Sequence, residues 1–458
     1  MSKQKAGTLA MWRKVAYGAG NAGGGFIWGT VSTFLLLYCT NVIGVSAAII
    51  GTLLMVAKVF DGITDVFMGR VIDLTKSKMG KTRFWYLLSC IPMGICMFCL
   101  FNVPNWQKDG PKYTWIFIFY LLISAVFYTM NQVAYNMMVA RVTKDQHDQV
   151  TMSGAAMLAG TIGSVIVASI TSGLVDSMGG GQTGWRMVAI IYAVIGVVIL
   201  LIPFFALKEL PEEEFSSQAV PGDAAVGQAA EEKPISFLQT IGELLTNKYF
   251  ILILLLYFVG YANSGIMTSS MAYFATYSLG NASLMGILGL CTTIPLILGI
   301  PFMPKFIDRT GIRKANVYGT IVSLVGCLVA VLGLKAGIAV MIIGLLIKAV
   351  GMVPGSATYT PLLVKADEYH FRKKGHRVTG SLFSCSTVGT KIGQGLGTAI
   401  CGWVLAAVGF DGLAATQTSA AMSGINFLYL GFPIVFTIIQ IIIYANMKVD
   451  EDLAAMEQ

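Results

Sequence analysis

The peptide FMGRVIDLT occupies residues 67–75 of the chain, and FMPKFIDRT occupies residues 302–310. The two copies share the pattern F-M-x-basic-x-I-D-x-T and begin 235 residues apart, close to half of the 458-residue chain. Each copy follows a long apolar run, so each is expected to form a loop after a membrane-spanning helix. A motif repeated at this interval predicts two halves with the same internal organisation.

The composition around these copies is that of an integral membrane protein. Hydrophobic residues make up 55% of the chain and charged residues 12%, whereas a soluble domain carries about 25% charged residues. A water-soluble protein of this length could not bury so much apolar surface. The formal net charge is +8, but the basic residues form short clusters between apolar runs, and this distribution argues against a nucleic-acid partner.

The apolar runs are long enough to be transmembrane helices. A helix needs about 20 apolar residues to cross a bilayer, and the lack of hydrogen-bonding partners in lipid excludes isolated strands. Twelve such runs are present, at 16–42, 46–70, 84–103, 113–137, 151–175, 186–207, 248–277, 282–304, 315–334, 336–361, 379–408 and 421–447. The sequence therefore predicts an all-α membrane protein of twelve helices in two pseudo-symmetric six-helix halves. This is the arrangement of the major facilitator transporters, whose solute site lies midway through the membrane.

A polar stretch at 208–247 predicts the domain limits, and the distribution of basic residues predicts the orientation of the chain in the membrane. Halves are expected at 1–207 and 248–447, with a cytoplasmic linker at 208–247 and a cytoplasmic tail at 448–458. With the N-terminus inside, four of the 31 Lys and Arg residues lie outside and three lie within spans, which leaves 24 in the cytoplasm. The chain is thus predicted to be a multi-pass protein of the cell membrane (plasma or inner membrane), in contact with the lipid bilayer.

Two acidic residues lie at a depth in the bilayer where a charged side chain is energetically unfavourable. Of 23 acidic residues, only Asp61 and Asp65 fall at membrane depth, four residues apart on one helix face. Two carboxylates this close stay ionised together only with a cation between them, so the pair predicts a site for Na⁺ or H⁺. Alternatively, Lys58 and Lys391 hold the two carboxylates in a static ion-pair network.

Three lysines also fall within spans: Lys58, Lys348 and Lys391. If all three face one cavity, its net charge is about +1 with both aspartates ionised, which favours an anionic or polar solute. Lys391 is expected to contact the cation or the solute, and Lys58 is a candidate for the solute. For Lys348, which has no acidic partner in its own helix, the alternative is a side chain that snorkels towards the membrane surface.

Uncharged polar and aromatic residues at span centres supply further candidates for solute contact. Asn21 and Asn131 are expected either to bind hydroxyl groups or to link neighbouring helices. Tyr128 and Tyr135 are candidates to stack on a sugar ring, and the alternative is that each faces lipid or packs in the protein core. The sequence contains no nucleophile–base pair and no zinc-ligand spacing, so it is interpreted as a non-enzyme that uses no cofactor apart from the coupling ion.

The motifs together resemble the glycoside–pentoside–hexuronide:cation symporter family, to which the melibiose permease and the bacterial glucuronide carrier belong. The motifs that carry the resemblance are YGAGN at 17–21, VFDGITD at 59–65, GRVID at 69–73, GKTR at 80–83, ADEY at 366–369 in the loop before the eleventh span, and KIGQG at 391–395. The resemblance covers nearly the whole chain. It implies the major facilitator fold and cation-coupled uptake of a sugar or sugar derivative.

The resemblance also implies roles for individual residues. Asp61 and Asp65 match the cation-site carboxylates, and Lys391 matches the lysine that faces them. Asn131 stands where the melibiose permease has a sugar-binding aspartate, and Tyr135 where it has a sugar-stacking tryptophan. Gly24 and Gly25 stand where that protein has a lysine and its other sugar-binding aspartate. Because two acidic sugar ligands are thus lost, the solute is expected to be a glucuronide, a hexuronide or another acidic glycoside.

The expected mechanism is alternating access. Cation and solute bind cooperatively, and the loops after the second and eighth helices lock the cytoplasmic side through Gly69, Arg70, Asp73, Asp308 and Arg309. The expected partners are a small solute and a monovalent cation, and the chain is expected to function as a monomer. The alternatives are a non-sugar solute, such as a lipid or a small organic anion, and a sensor without transport activity.

Overall fold

Twelve long helices and one short helix make up nearly all of the described chain. The structure, a computed structural model, describes residues 9–210, 242, 246–375, 379–414 and 416–456. The helices are α1 (Met11–Asn41), α2 (Ala47–Leu74), α3 (Lys81–Leu100), α4 (Asp109–Val142), α5 (Gln146–Ser177), α6 (Gly181–Ala206), α7 (Lys248–Ser278), α8 (Ala282–Thr310), α9 (Ile312–Ala336), α10 (Ile338–Lys374), α11 (Thr379–Ala407), α12 (Ser419–Asn426, continuing through Phe427–Gly431 to Phe432–Ala445) and α13 (Val449–Ala455). Within these described ranges there is no strand.

The helices coincide with the predicted spans. Eleven helices of the described residues are long and apolar enough to cross a membrane, and α11 coincides with the remaining predicted span, 379–408. Most of the linker predicted at 208–247 lies outside the described residues.

Three segments predicted as loops are helical instead. The motif at 67–75 is helical as far as Leu74, and its second copy at 302–310 forms the end of α8. The ADEY segment lies within α10, which continues to Lys374. The prediction ended each helix where apolar residues end, but a helix can extend into water because its hydrogen bonds are internal.

The chain forms two compact units. The first comprises residues 1–218, 268–287 and 398–425, and the second comprises residues 219–267, 288–397 and 426–458. In the first unit, glycines bring α1 against its neighbours: a Cβ at Gly18 would lie 2.8 Å from the Ala155 carbonyl oxygen of α5. A Cβ at Gly23 would lie equally close, 2.8 Å, to the Gly196 carbonyl oxygen of α6. These glycines are required for close helix packing, as is typical of membrane interfaces.

A carboxylate in the first unit fixes the start of α3. Glu209 accepts hydrogen bonds from the backbone N–H groups of Lys81, Thr82 and Arg83, at 3.1, 2.9 and 2.8 Å, and from the Thr82 hydroxyl at 2.7 Å. The negative charge also lies at the positive end of the helix dipole. Gly80 (φ +102°) precedes this helix, and a Cβ there would lie 2.4 Å from the carboxylate. The GKTR motif therefore has a structural role in attaching α3 to the chain after α6.

Candidate functional site

The candidate site is built on the middle of α2. This helix is continuous from Ala47 to Leu74, so Lys58, Asp61 and Asp65 lie on successive turns of one face. Asp61 is completely buried and Lys58 is 5% exposed, whereas Asp65 is half-buried. The spacing seen in the sequence therefore places one carboxylate inside the first unit and a second one turn away.

Both oxygens of Asp61 have partners in the first unit. The Lys58 ammonium lies 2.8 Å from Oδ2, and the Thr129 hydroxyl donates a hydrogen bond of 2.7 Å to Oδ1. The Lys58 contact agrees with one pair of the static ion-pair network that the sequence predicts as an alternative. The Thr129 contact ties α4 to α2.

A π-helical turn orients the Thr129 side chain towards the Asp61 carboxylate. Residues Leu122–Tyr128 form this turn within α4, and Thr129 is the next residue. A π turn inserts one extra residue and rotates the side chains that follow it, and such turns occur frequently at functional sites. The Thr129 hydroxyl also lies 3.2 Å from the Ser124 carbonyl oxygen within the turn. Sequence reasoning missed Thr129; its only signal was its position between two candidate residues, Tyr128 and Asn131.

An aromatic ring covers the Lys58 ammonium. The ammonium lies 4.0 Å from the centre of the Trp28 ring, within the range of a cation–π interaction. Trp28 in turn stacks on Tyr128, with ring centres 4.7 Å apart. The Tyr128 hydroxyl is within electrostatic range of both Asp61 and Asp65. Tyr128, predicted to contact solute, thus belongs to the surroundings of the carboxylates, and Trp28 was missed because nothing on α1 distinguishes it.

This arrangement holds a cationic group against a buried carboxylate. The carboxylate is buried and therefore requires a positive partner, which Lys58 supplies in this structure. Removing one partner of a buried ion pair costs about 3–5 kcal/mol, so Lys58 can leave only if another cation or a proton arrives. The Asp61 carboxylate and the Thr129 hydroxyl are oxygen ligands of the kind that hard cations prefer.

The two predicted asparagines contact neighbouring helices in the first unit. The Asn21 amide donates a hydrogen bond of 2.9 Å to the Ala156 carbonyl oxygen of α5. Asn131 is buried, and its amide donates a hydrogen bond of 2.9 Å to the Ser89 hydroxyl of α3. These are the helix–helix contacts that the sequence analysis gave as the alternative to hydroxyl binding.

Tyr135 is part of an aromatic stack with Tyr17. The two rings are 4.2 Å apart and nearly parallel. The Tyr135 hydroxyl donates to the Tyr17 carbonyl oxygen at 2.6 Å, and the Tyr17 hydroxyl donates to the Tyr135 carbonyl oxygen at 3.0 Å. Tyr17 therefore covers one face of the ring that was predicted to stack on a sugar.

Lys391 belongs to the second unit. It is half-buried in α11, between Gly389 and Gly393. A Cβ at Gly393 would lie 2.6 Å from the Phe258 carbonyl oxygen, so α11 and α7 are in close contact beside it. Its predicted role at the cation site stays a prediction.

The predicted cytoplasmic gate residues lie near helix ends. A Cβ at Gly69 would meet no described atom within 4 Å, and Arg70 is exposed. Asp308 and Arg309 are exposed at the end of α8. The side chain of Asp73 lies outside the described residues. The gate also stays a prediction.

Comparison with known proteins identifies one family over almost the entire chain. The family described as "MFS/sugar transport protein" matches residues 16–451. Among solved structures, a bacterial homolog of the human lysosomal transporter Spinster aligns with a TM-score of 0.71 at 14% identity, covering 97% of this chain and 98% of that one. This likeness confirms the predicted fold class.

Three curated relatives are similar along nearly their whole length. An isoprimeverose transporter of Lactiplantibacillus pentosus is 29% identical, covering 93% of this chain and 87% of the relative. A putative glycoside/cation symporter of Escherichia coli (strain K12) is 26% identical, covering 96% and 90%. A glucuronide carrier protein homolog of the same strain is 24% identical, covering 93% and 92%.

Proposed function

Because the chain belongs to the MFS/sugar transport protein family, we propose that this multi-pass membrane transporter carries a glycoside or sugar acid together with Na⁺ or H⁺. It is a transporter and not an enzyme. The observation that supports cation coupling most directly is the buried Asp61 carboxylate, with Lys58 on one oxygen and Thr129 on the other.

In the proposed cycle the coupling cation replaces Lys58. The cation enters beside Asp61 and Asp65, the Lys58 ammonium moves away from Oδ2, and the freed ammonium becomes available to an acidic or hydroxylated solute. Cation binding thereby raises solute affinity, and by reciprocity solute binding raises cation affinity. Alternating access then exposes both ligands to the other side of the membrane. The transporter acts as a monomer in the plasma or inner membrane, with both termini in the cytoplasm.

The relatives support this choice of solute. Their names specify isoprimeverose, a glycoside with a cation, and a glucuronide. We therefore propose a glycoside or sugar acid as the solute of this chain.

Uptake by the purified full-length chain in proteoliposomes tests the function. The probes are methyl β-D-glucoside, methyl β-D-glucuronide and isoprimeverose, each with and without an inward Na⁺ or H⁺ gradient. We expect at least one probe to accumulate above its external concentration only when a cation gradient is present. Uptake that ignores both gradients would refute coupling, and binding without flux would indicate a sensor.

Thr129 gives a second test of the cation site. The Thr129→Val variant keeps the shape of the side chain but leaves Asp61 Oδ1 without its hydrogen bond, at a cost of about 1–3 kcal/mol. We expect the cation concentration for half-maximal uptake to rise about ten-fold, while Thr129→Ser stays close to the unaltered chain. The measurement is solute uptake against cation concentration. Equal behaviour of the Val and Ser variants would remove Thr129 from the site.

A further inference from the structure

Lys348 is a buried lysine in the middle of α10, within the second unit. It lies ten residues after the helix begins at Ile338, which is about 15 Å along the axis. Its residue exposure is 2%. The snorkelling alternative is therefore wrong for this residue, because the side chain is enclosed by protein.

The partner of Lys348 distinguishes it from the other buried lysines of the described residues. Lys14 lies 2.5 Å from Asp148, and Lys58 lies 2.8 Å from Asp61. The Lys348 ammonium instead lies 2.7 Å from the Met267 sulfur of α7. In the described part of the chain it forms no ion pair with a carboxylate.

A thioether does not compensate a buried ammonium. Methionine sulfur is a weak acceptor, whereas an ammonium has three strong donors. Ionisable residues at membrane depth are costly and mark binding sites or ion pathways when they persist. The position thus attracts an anionic oxygen that the described side chains do not supply.

A second unsatisfied polar group lies on the same face of α7. Asn263 is 4% exposed, and its Oδ1 atom has no hydrogen-bond partner among the described residues. It precedes Met267 by one helical turn, about 6 Å along the axis. An amide oxygen accepts from hydroxyl groups, so α7 offers an acceptor one turn from the residue that contacts the cationic donor of α10.

Met267 is suited to cover such a subsite. It is half-buried, in contrast to the buried Lys348 and Asn263, and its sulfur lies against the Lys348 ammonium. Its unbranched side chain has three rotatable bonds and moves at low cost. A ligand group that displaces the Met267 thioether can contact the Lys348 ammonium in its place.

We propose that Lys348 and Asn263 form a subsite that binds the carboxylate of an acidic sugar and a neighbouring hydroxyl group. This inference rests on the proposed function and specifies its solute class. The carboxylate replaces the Met267 sulfur at the ammonium, and a hydroxyl donates to Asn263 Oδ1.

Paired probes test the assignment in the purified full-length chain. Methyl β-D-glucuronide and methyl β-D-glucoside differ only in the carboxylate at C6. We expect Lys348→Met to raise the glucuronide concentration needed for half-saturation about ten- to hundred-fold. The glucoside concentration needed for half-saturation should rise less than about three-fold. Equal losses for both probes, or no loss for either, would overturn the assignment.

Substitution of the covering residue gives an independent test that leaves Lys348 in place. Met267→Glu puts a carboxylate where the ligand carboxylate is proposed to bind, so it should reverse the preference for the glucuronide. Met267→Gln has nearly the same size without the charge, and should keep the preference. A Glu variant that still prefers the glucuronide would overturn the proposal even if Lys348→Met failed to fold.

The outcome separates this inference from the proposed function. If the unaltered chain took up the glucoside with a cation gradient but neither bound nor transported the glucuronide, the transport function would stand and the subsite would be refuted. Failure of the unaltered chain to bind or move any of the glycosides would refute the transport function, and the subsite with it.

Discussion

The Asp61→Asn variant is expected to lose gradient-driven accumulation of solute while it retains exchange of solute down its own gradient. Asparagine has the shape of aspartate and can still accept a hydrogen bond from Thr129, but it carries no charge to hold a cation at membrane depth. Coupling is a difference in affinity between cation-bound and cation-free states, so without cation binding the accumulation ratio falls to about one. Accumulation and equilibrium exchange are measured in the same proteoliposomes.

The buried lysine complicates the single variant. Asp61→Asn breaks the buried ion pair between Lys58 and Asp61, which costs about 3–5 kcal/mol. Loss of accumulation could then result from loss of folded protein. The double variant Lys58→Met with Asp61→Asn removes both charges, and such replacements are often neutral or stabilising. We expect it to be more stable than Asp61→Asn and equally uncoupled.

Asp65→Asn is the matched control for stability. It removes a half-buried carboxylate one turn away on the same helix and leaves the Lys58–Asp61 pair intact, so its thermal stability should be higher than that of Asp61→Asn. It should nevertheless lose accumulation, because Asp65 is proposed to share the cation. A double variant that still concentrates solute would show that Asp61 is not the coupling group.

The part of the site that the sequence could predict lies on a single helix. Lys58, Asp61 and Asp65 are separated by three and four residues, and a membrane helix converts this spacing directly into a shared face. Their charge made them conspicuous, because few charged residues occur at membrane depth. The fold was predictable for a similar reason, since the bilayer imposes span length and helical structure.

The contacts between helices could not be predicted. Thr129 contacts Asp61 although the two residues are 68 positions apart in the sequence. The orientation of the Thr129 side chain depends on a π turn that no local pattern in Leu122–Tyr128 predicts. Asn131 shows the opposite difficulty. A buried amide suits a hydroxyl ligand and a neighbouring helix equally well, and only the fold shows that it contacts Ser89.

The largest effect on folding is expected from an added methyl group at Gly326, in the second unit. A Cβ there would lie 2.2 Å from the backbone nitrogen of Lys348 and 2.7 Å from the carbonyl oxygen of Gly344. These are backbone atoms of α10, so they move only if the whole helix moves. The contact is reciprocal, because a Cβ at Gly344 would lie 2.2 Å from the backbone nitrogen of Ala330 on α9.

Gly326→Ala must therefore push α9 and α10 apart along their interface. Pairing of membrane helices depends on close van der Waals packing, since lipid gives no hydrophobic gain from burial. Overpacking a core ordinarily costs about 1–3 kcal/mol, and we expect a cost at or above this range because no side chain can rotate away. The measurement is the yield of monodisperse protein in detergent together with its thermal midpoint.

Gly289→Ala in α8 is the matched control, because a Cβ there would meet no described atom within 4 Å. It makes the same chemical change in a membrane helix of the same unit and should leave yield and midpoint unchanged. The comparison also bears on the proposed subsite, since the atom nearest to the Gly326 position is the backbone nitrogen of Lys348. Equal stability of Gly326→Ala and Gly289→Ala would show that α9 and α10 do not approach this closely, and it would contradict the burial of Lys348 at this interface.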